Sequence, residues 1–375
     1  MNSVLEEIST LRKGAPMVID SKNSNRYRLV TIEPNGTKTA YYFSSPIYNV
    51  QTRKIVDMKF HSESKTAYLT GSNANITIGS DIRMENSRGS CVISLLEHIS
   101  RISDKEIAYS DSRLFPTTNG IALCGLCNEG KAYTFTVEIN KPFSDIMAND
   151  KYFSLMDEPF RPFVSFSCVG TSDANGNIIA PAKISYRKIT DRKYTVSVIP
   201  CSSLGKFVLV EANLYEQKLF QDTSVESKNA KVNNAFGSIC FIGNTKEFGE
   251  QWLYSKPDFS KMSELNDKRI FSAVLHLSKL NNGTIEIIIS NVAARFCSFG
   301  STWDNKIAEA SAINESQTTD RYINLNLTPA IADKQGRLLR GDGFIIKAKN
   351  KNSGFSVMPT ADNYLFPQIL EINYR

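Results

Sequence analysis

Tyr133-Thr134-Phe135-Thr136-Val137-Glu138-Ile139 alternates apolar and polar side chains over its whole length. A period of two turns Tyr133, Phe135, Val137 and Ile139 to one side of an extended chain and the threonines and Glu138 to the other. One face therefore seeks a core and the other water, the pattern of an antiparallel sheet. The same alternation recurs upstream in Asn75-Ile76-Thr77-Ile78 and Ile82-Arg83-Met84, and downstream in Ile184-Ser185-Tyr186 and Tyr194-Thr195-Val196-Ser197-Val198. Turn chemistry separates these runs: Pro34-Asn35-Gly36 between Tyr27–Ile32 and Thr39–Phe43, then Asp173-Ala174-Asn175-Gly176 and Thr190-Asp191-Arg192-Lys193. Cys91 to Ser103 fits either element, because Leu95, Leu96, Ile99 and Ile102 also suit a helix.

The second half reads the same way. Short apolar strands are expected at Phe207–Val210, Ser238–Ile242, Gln251–Tyr254, Ile270–Leu277, Thr284–Ser290, Phe344–Ala348 and Gln368–Ile372. The small polar stretch Cys201-Ser202-Ser203-Leu204-Gly205 marks a boundary. The expectation is an all-β protein of two stacked antiparallel β-sandwich or jelly-roll domains, residues 21–205 and 206–375. Residues 1–20 precede them as a short amphipathic helix and linker. There Ser3 and Glu6 form a capping box, Gly14 and Pro16 close the segment, and Val4, Leu5, Ile8 and Leu11 make one apolar stripe. So short a helix is marginal alone, so the stripe must dock, either on its own β body or on a partner subunit as an assembly element.

Composition excludes several classes. The chain has 375 residues, and 44 Lys+Arg against 38 Asp+Glu give a net charge of only +6, with no block of like charges. That is no nucleic-acid footprint, and the absence of a long apolar run leaves no transmembrane helix. Glu6 and Glu7 stand where a secretory leader would be basic or apolar, so cytoplasmic synthesis without a signal peptide is expected, with a cell-surface, spore or extracellular-particle destination after release. The seven cysteines are scattered, as expected for buried reduced thiols.

Chemistry is sparse. His61, His98 and His276 are the only histidines, and neither a nucleophile elbow nor a papain-like context accompanies them. His276 is expected at the surface of a strand. Cys124-Gly125-Leu126-Cys127 lacks the second pair that a zinc ribbon needs. Glu211, Glu250, Asp258 and Asp342 are the carboxylates available to a glycosidase, and solvent-facing charge at strand ends is the plainer reading. Arg340-Gly341-Asp342 sits in a turn. Asn75-Ile76-Thr77 is among the segments that fit the glycosylation sequon and is read as strand. Trp303, in the polar run Trp303-Asp304-Asn305-Lys306, is the candidate sugar platform: its ring would stack on a pyranose while Asp304, Asn305 and Lys306 bond hydroxyls.

Several segments of the second half also match a known pattern: Asn233–Ser238, Gly249–Ser260, Ile270–Leu277, Gly343–Lys347, Ala361-Asp362-Asn363 and Pro367–Ile372. In that order they resemble the DNRLRE-type domain, a β-sandwich of bacterial surface proteins related to carbohydrate-binding modules. Trp252 lies in a strand that this resemblance places in the body of the sandwich, which implies a core position for it. Asn119-Gly120, Tyr133–Glu138 and the hairpin Ile184–Val198 running to Pro200 are similar to the sandwich segment of wall-associated RHS-type proteins. The resemblance implies a non-catalytic structural or adhesive protein, a building block or binding element of a surface layer, appendage, spore coat or phage-tail-like particle. The alternative is an adhesin that recognises a polysaccharide, and a polysaccharide-degrading enzyme is the least favoured reading. Self-association or partner subunits are expected, with neither nucleic acid nor membrane insertion. No cofactor or catalytic residue is expected; a structural calcium, if held, would draw on Asp342 or Asp362.

Overall fold

The computed structural model describes residues 4–63, 65–127, 131–143, 145–351 and 354–375. The sheet ladders are antiparallel throughout, so the all-β expectation holds. The chain divides into two compact units. One holds Tyr48–Glu216 with Phe236–Ser238, joined by Val4 and Leu5; the other holds Glu6–Ile47, Gln217–Ala235 and Ile239–Arg375.

In the first unit Tyr133–Ile139 lies between Lys193–Pro200 and Gly89–Ser94 in an eight-stranded sheet running from Ala182–Thr190 to His61–Glu63. Its apolar face is buried as the alternation demands. It packs on a nine-stranded sheet whose central strands are Arg161–Ser172, Phe207–Leu214 and Gly120–Leu126. Phe135 meets Phe166 across the two layers at 5.9 Å between ring centroids, and Phe153 meets Tyr194 at 5.5 Å. Each such ring removed from water contributes about 2–3 kcal/mol. Cys91 to Ser103 resolves as strand: Gly89–Ser94 and Ile99–Ile102 both pair in ladders, and Leu96 projects into solvent between them.

The second unit also has two layers. A six-stranded sheet runs Val18–Ile19, Arg28–Ile32, Lys38–Phe43, Ile369–Tyr374, Ile270–Ser278, Tyr322–Asn326. A seven-stranded sheet opposes it, with Gly249–Pro257 and Phe344–Ala348 near its middle, and Leu253, Ile289, Leu275 and Leu370 fill the space between. The hairpin at Pro34-Asn35-Gly36 forms as expected. Gly36 takes φ +77° and its N–H donates to Glu33 O at 2.9 Å, a conformation glycine adopts without strain.

The expected boundary between 205 and 206 is corrected at both ends. Phe207–Leu214 belongs to the first unit, where it bonds Gly120–Leu126 on one side and Arg161–Ser172 on the other. The stretch 21–47 belongs to the second, because Lys38–Phe43 pairs with Ile369–Tyr374. A loop that looks like a linker says nothing about which strand its successor will hydrogen-bond, and long-range pairing decides that.

The N-terminal helix spans Val4–Leu11; the Ser3 cap lies outside the described residues. Val4 and Ile8 are buried, Leu11 is half-buried and Leu5 is exposed. Gly14 at φ +75° donates its N–H to Ser9 O and ends the helix. The helix docks on its own chain. Glu7 accepts from the Tyr322 hydroxyl, and just past the helix Arg12 pairs with Glu33 at 2.7 Å and donates to the Tyr41 hydroxyl at 3.3 Å. The Arg12 guanidinium holds the Glu33 carboxyl below the usual carboxylate range.

Candidate ligand-binding site

At one end of the eight-stranded sheet of the first unit, three strands present polar side chains in register. Asn75 stands opposite Glu85, and Glu85 opposite Ser90. Asn140, just past Tyr133–Ile139, extends the row: its Oδ1 accepts from Ser90 N at 3.0 Å while its own N–H donates to Ser90 O at 3.1 Å. The loops at Asn49–Gln51 and Ser72–Asn73 face this row across a cleft of about 620 Å³, within the range usual for small-molecule and saccharide sites. Asn49 builds one wall, donating to Gly71 O at 2.7 Å and accepting from Gln51 N and Thr52 N. Asn73 is anchored through its backbone, whose N–H donates to the buried Asn119 side chain at 2.9 Å.

The scaffold thus consumes Asn49 and leaves others available. The side chains of Gln51, Asn73, Asn75 and Ser87 make no hydrogen bond to the described residues, and Asn140 keeps its Nδ2 donors. Each amide offers donors and an acceptor side by side. The charges in the lining are internally matched: Arg83 Nε donates to Glu85 at 2.9 Å, and Arg88 is held by Asp157 at 3.5 Å and by the carbonyls of Pro162 and Tyr215 at 3.0 and 2.9 Å. Sequence reasoning missed this site. Its one visible sign was the density of Asn and Ser in Ser72-Asn73-Ala74-Asn75, which reads equally well as turn and strand.

The Trp303 loop, in the second unit, is built differently from the open platform expected of it. Trp303 and Trp252 are both half-buried and meet edge to face at 5.3 Å, alongside Val225, Tyr254, Val292, Phe296 and Ile345 on the outer face of the seven-stranded sheet. The expectation of Trp252 in the main core is corrected: strand alternation turns it to the opposite face from Leu253. Lys306 Nζ lies 4.2 Å from the Trp303 ring centroid, so a cation already occupies one ring face. Asn305 is spent on the loop, accepting from Thr302 N at 2.7 Å and donating to Gly300 O at 2.9 Å. Asp304 is exposed. The four expected ligand residues are close together, but Asn305 is spent on its own loop and Lys306 on the Trp303 ring.

The remaining candidates have local partners. His276 is buried rather than at the surface, its Nδ1 2.7 Å from Asn324 and its Nε2 3.1 Å from Glu371. Glu211 is fully buried, bonded by Asn213 at 3.0 Å, so the solvent-facing reading fails for it. Glu250 takes Trp252 Nε1 at 2.9 Å, Asp258 caps the short helix Phe259–Leu265, and Asp342 faces Lys256 at 3.6 Å. Cys124 and Cys127 are free thiols, the former pushed up to about 11 by burial; Cys297 is exposed, against the buried reading. Asp362, the other calcium candidate, is ion-paired with Lys218 beside the buried Asp222. The ammonium stands where a cation would, and no group of three or more metal-ligating side chains occurs among the described residues. No described helix is long and apolar enough to cross a membrane.

No protein-family model matches the chain, and no curated protein matches it. Among solved structures, an exo-β-1,3-galactanase from Phanerochaete chrysosporium with galactose aligns at 8% identity with a TM-score of 0.18, over 92% of this chain and 82% of that one. A variant of the same enzyme with β-1,3-galactotriose aligns at 8% identity and a TM-score of 0.14, over 89% and 100%. Alignments this loose carry no argument about fold or activity.

Proposed function

We propose that this chain is a non-catalytic adhesive β-sandwich protein, a binding element of a bacterial surface layer or particle, whose first unit recognises a polysaccharide. One observation carries the reading: a cleft of saccharide size ringed by uncommitted amides and a hydroxyl, with Asn75 and Asn140 at the ends of one cross-strand row and Gln51, Asn73 and Ser87 on the flanking turns. Sugars present dense hydroxyls, each both donor and acceptor, and amide side chains answer both functions without changing protonation state. Rigid elements supply the preorganisation that a weakly binding ligand needs. The resemblance of the second half to a carbohydrate-binding-type sandwich points the same way.

A glycan array probed with the full-length chain tests this. Saturable binding to a set of glycans, lost in Asn75→Ala with the circular dichroism spectrum unchanged, is expected. Silence across the array, or binding that Asn75→Ala leaves intact, overturns it.

A further inference from the structure

We infer that the cleft of the first unit selects an uncharged glycan and excludes uronate and sulfate sugars; the inference rests on the polysaccharide reading of that cleft. Three charged side chains stand in the lining, Arg83, Glu85 and Arg88, and each is paired within the chain. Arg83 and Glu85 neutralise one another on adjacent residues of one strand face, 2.9 Å apart. Arg88 turns away into the fold, where Asp157 and two backbone carbonyls take its guanidinium, and Lys141 further satisfies Asp157 at 3.2 Å. An acidic sugar would find no cation waiting for it. At the exposed Arg83, engaged through Nε, it would sit beside the Glu85 carboxylate that already neutralises that charge; to recruit Arg88 it must strip three acceptors from a half-buried guanidinium.

The uncommitted groups ask for a different ligand. Gln51, Asn73, Asn75, Ser87 and the Nδ2 of Asn140 lie around the cleft, and all of them are neutral. Neutral hydroxyls, ring oxygens and acetamido groups meet such a lining without either side burying an unpaired charge. Asn75 and Asn140, at opposite ends of the cross-strand row, are the residues expected to set the spacing between the sugar positions read.

The test is titration calorimetry on the full-length chain with neutral oligosaccharides (gluco-, galacto-, xylo- and chito-series) and acidic ones (oligogalacturonate, sulfated oligosaccharides). Measurements are made at about 0.05 M and about 0.5 M salt, which respectively leave and screen ionic contacts. Neutral oligosaccharides are expected to bind, with Kd changing less than about twofold between the two salts. Asn75→Ala and Asn140→Ala should each weaken binding about tenfold, the loss of one hydrogen bond's worth of discrimination. Binding confined to acidic sugars, or affinity that falls more than about tenfold at high salt, overturns the neutral-ligand inference while the polysaccharide reading stands. No heat with either class, alongside a silent array, overturns both.

Discussion

Asp222 is the residue through which pH should act on the second unit. It is fully enclosed, its Oδ2 accepting from Ala361 N–H while Oδ1 has no hydrogen-bond partner among the described residues. The neighbouring Asp362 is also buried and shares the single ammonium of Lys218. Two carboxylates cannot both ionise cheaply beside one cation in the interior. Burial, reinforced by the charge of Asp362 and opposed by Lys218, pushes the Asp222 carboxyl from 3.8 up to about 7. A carboxyl pKa raised by folding contributes stability that is full below the unfolded value and is lost as pH rises through the folded value. Between about pH 5 and pH 8 the folded protein gives up its proton while the unfolded chain has already done so, and two tenfold steps at about 1.4 kcal/mol each cost about 3 kcal/mol.

Asp222→Asn keeps the shape and the acceptor for Ala361 but abolishes that titration. In urea unfolding, the wild-type midpoint for this unit should fall by about 1 M more than that of Asp222→Asn between the two pH values, taking m near 3 kcal/mol/M. Parallel pH profiles for the two proteins would refute the reasoning, because they would mean that Asp222 is ionised throughout. The absolute offset of the variant does not enter, since the amide's extra N–H brings its own cost at every pH.

Ile8→Ala should cost about 2–4 kcal/mol, read as a lowered Tm, because the side chain is completely enclosed although its helix has only two turns. Gly120→Ala should lower the Tm sharply, by the equivalent of about 3 kcal/mol: a Cβ there would lie 2.1 Å from Ala212 O on the paired backbone. Gly176→Ala, with φ +85° in an open turn, should cost only about 1 kcal/mol, the strain of the left-handed conformation alone. Trp303→Ala should destabilise by about 2 kcal/mol through the lost Trp252 and Lys306 contacts, and leave glycan affinity within about twofold in calorimetry.

Legibility followed burial pattern. Tyr133–Ile139 and the hairpin around Pro34-Asn35-Gly36 were readable because one buried face and one glycine-dependent turn leave marks in every residue. Glu309–Gln317, the polar outer strand of the seven-stranded sheet, was not, since its composition carries no apolar face and its place comes only from pairing with Glu286–Val292. Trp303 drew attention because aromatic residues in polar loops are conspicuous. Asn73 and Asn140 did not, and Asn75 was read as strand, because asparagine has as many uses in turns and strands as in sites.

Period-two alternation, turn residues and a small apolar stripe therefore sufficed to establish an antiparallel β protein with a docked N-terminal helix: these are local properties, written within a few residues of one another. Which strands became neighbours was another matter. That Lys38–Phe43 lies beside Ile369–Tyr374, that Phe207–Leu214 runs through the middle of the first unit's sheet, and that Asn75 and Asn140 border one cleft were settled only in three dimensions. Pairings between residues so far apart are chosen by the shared burial of whole sheet faces, and no short stretch of chain records that choice.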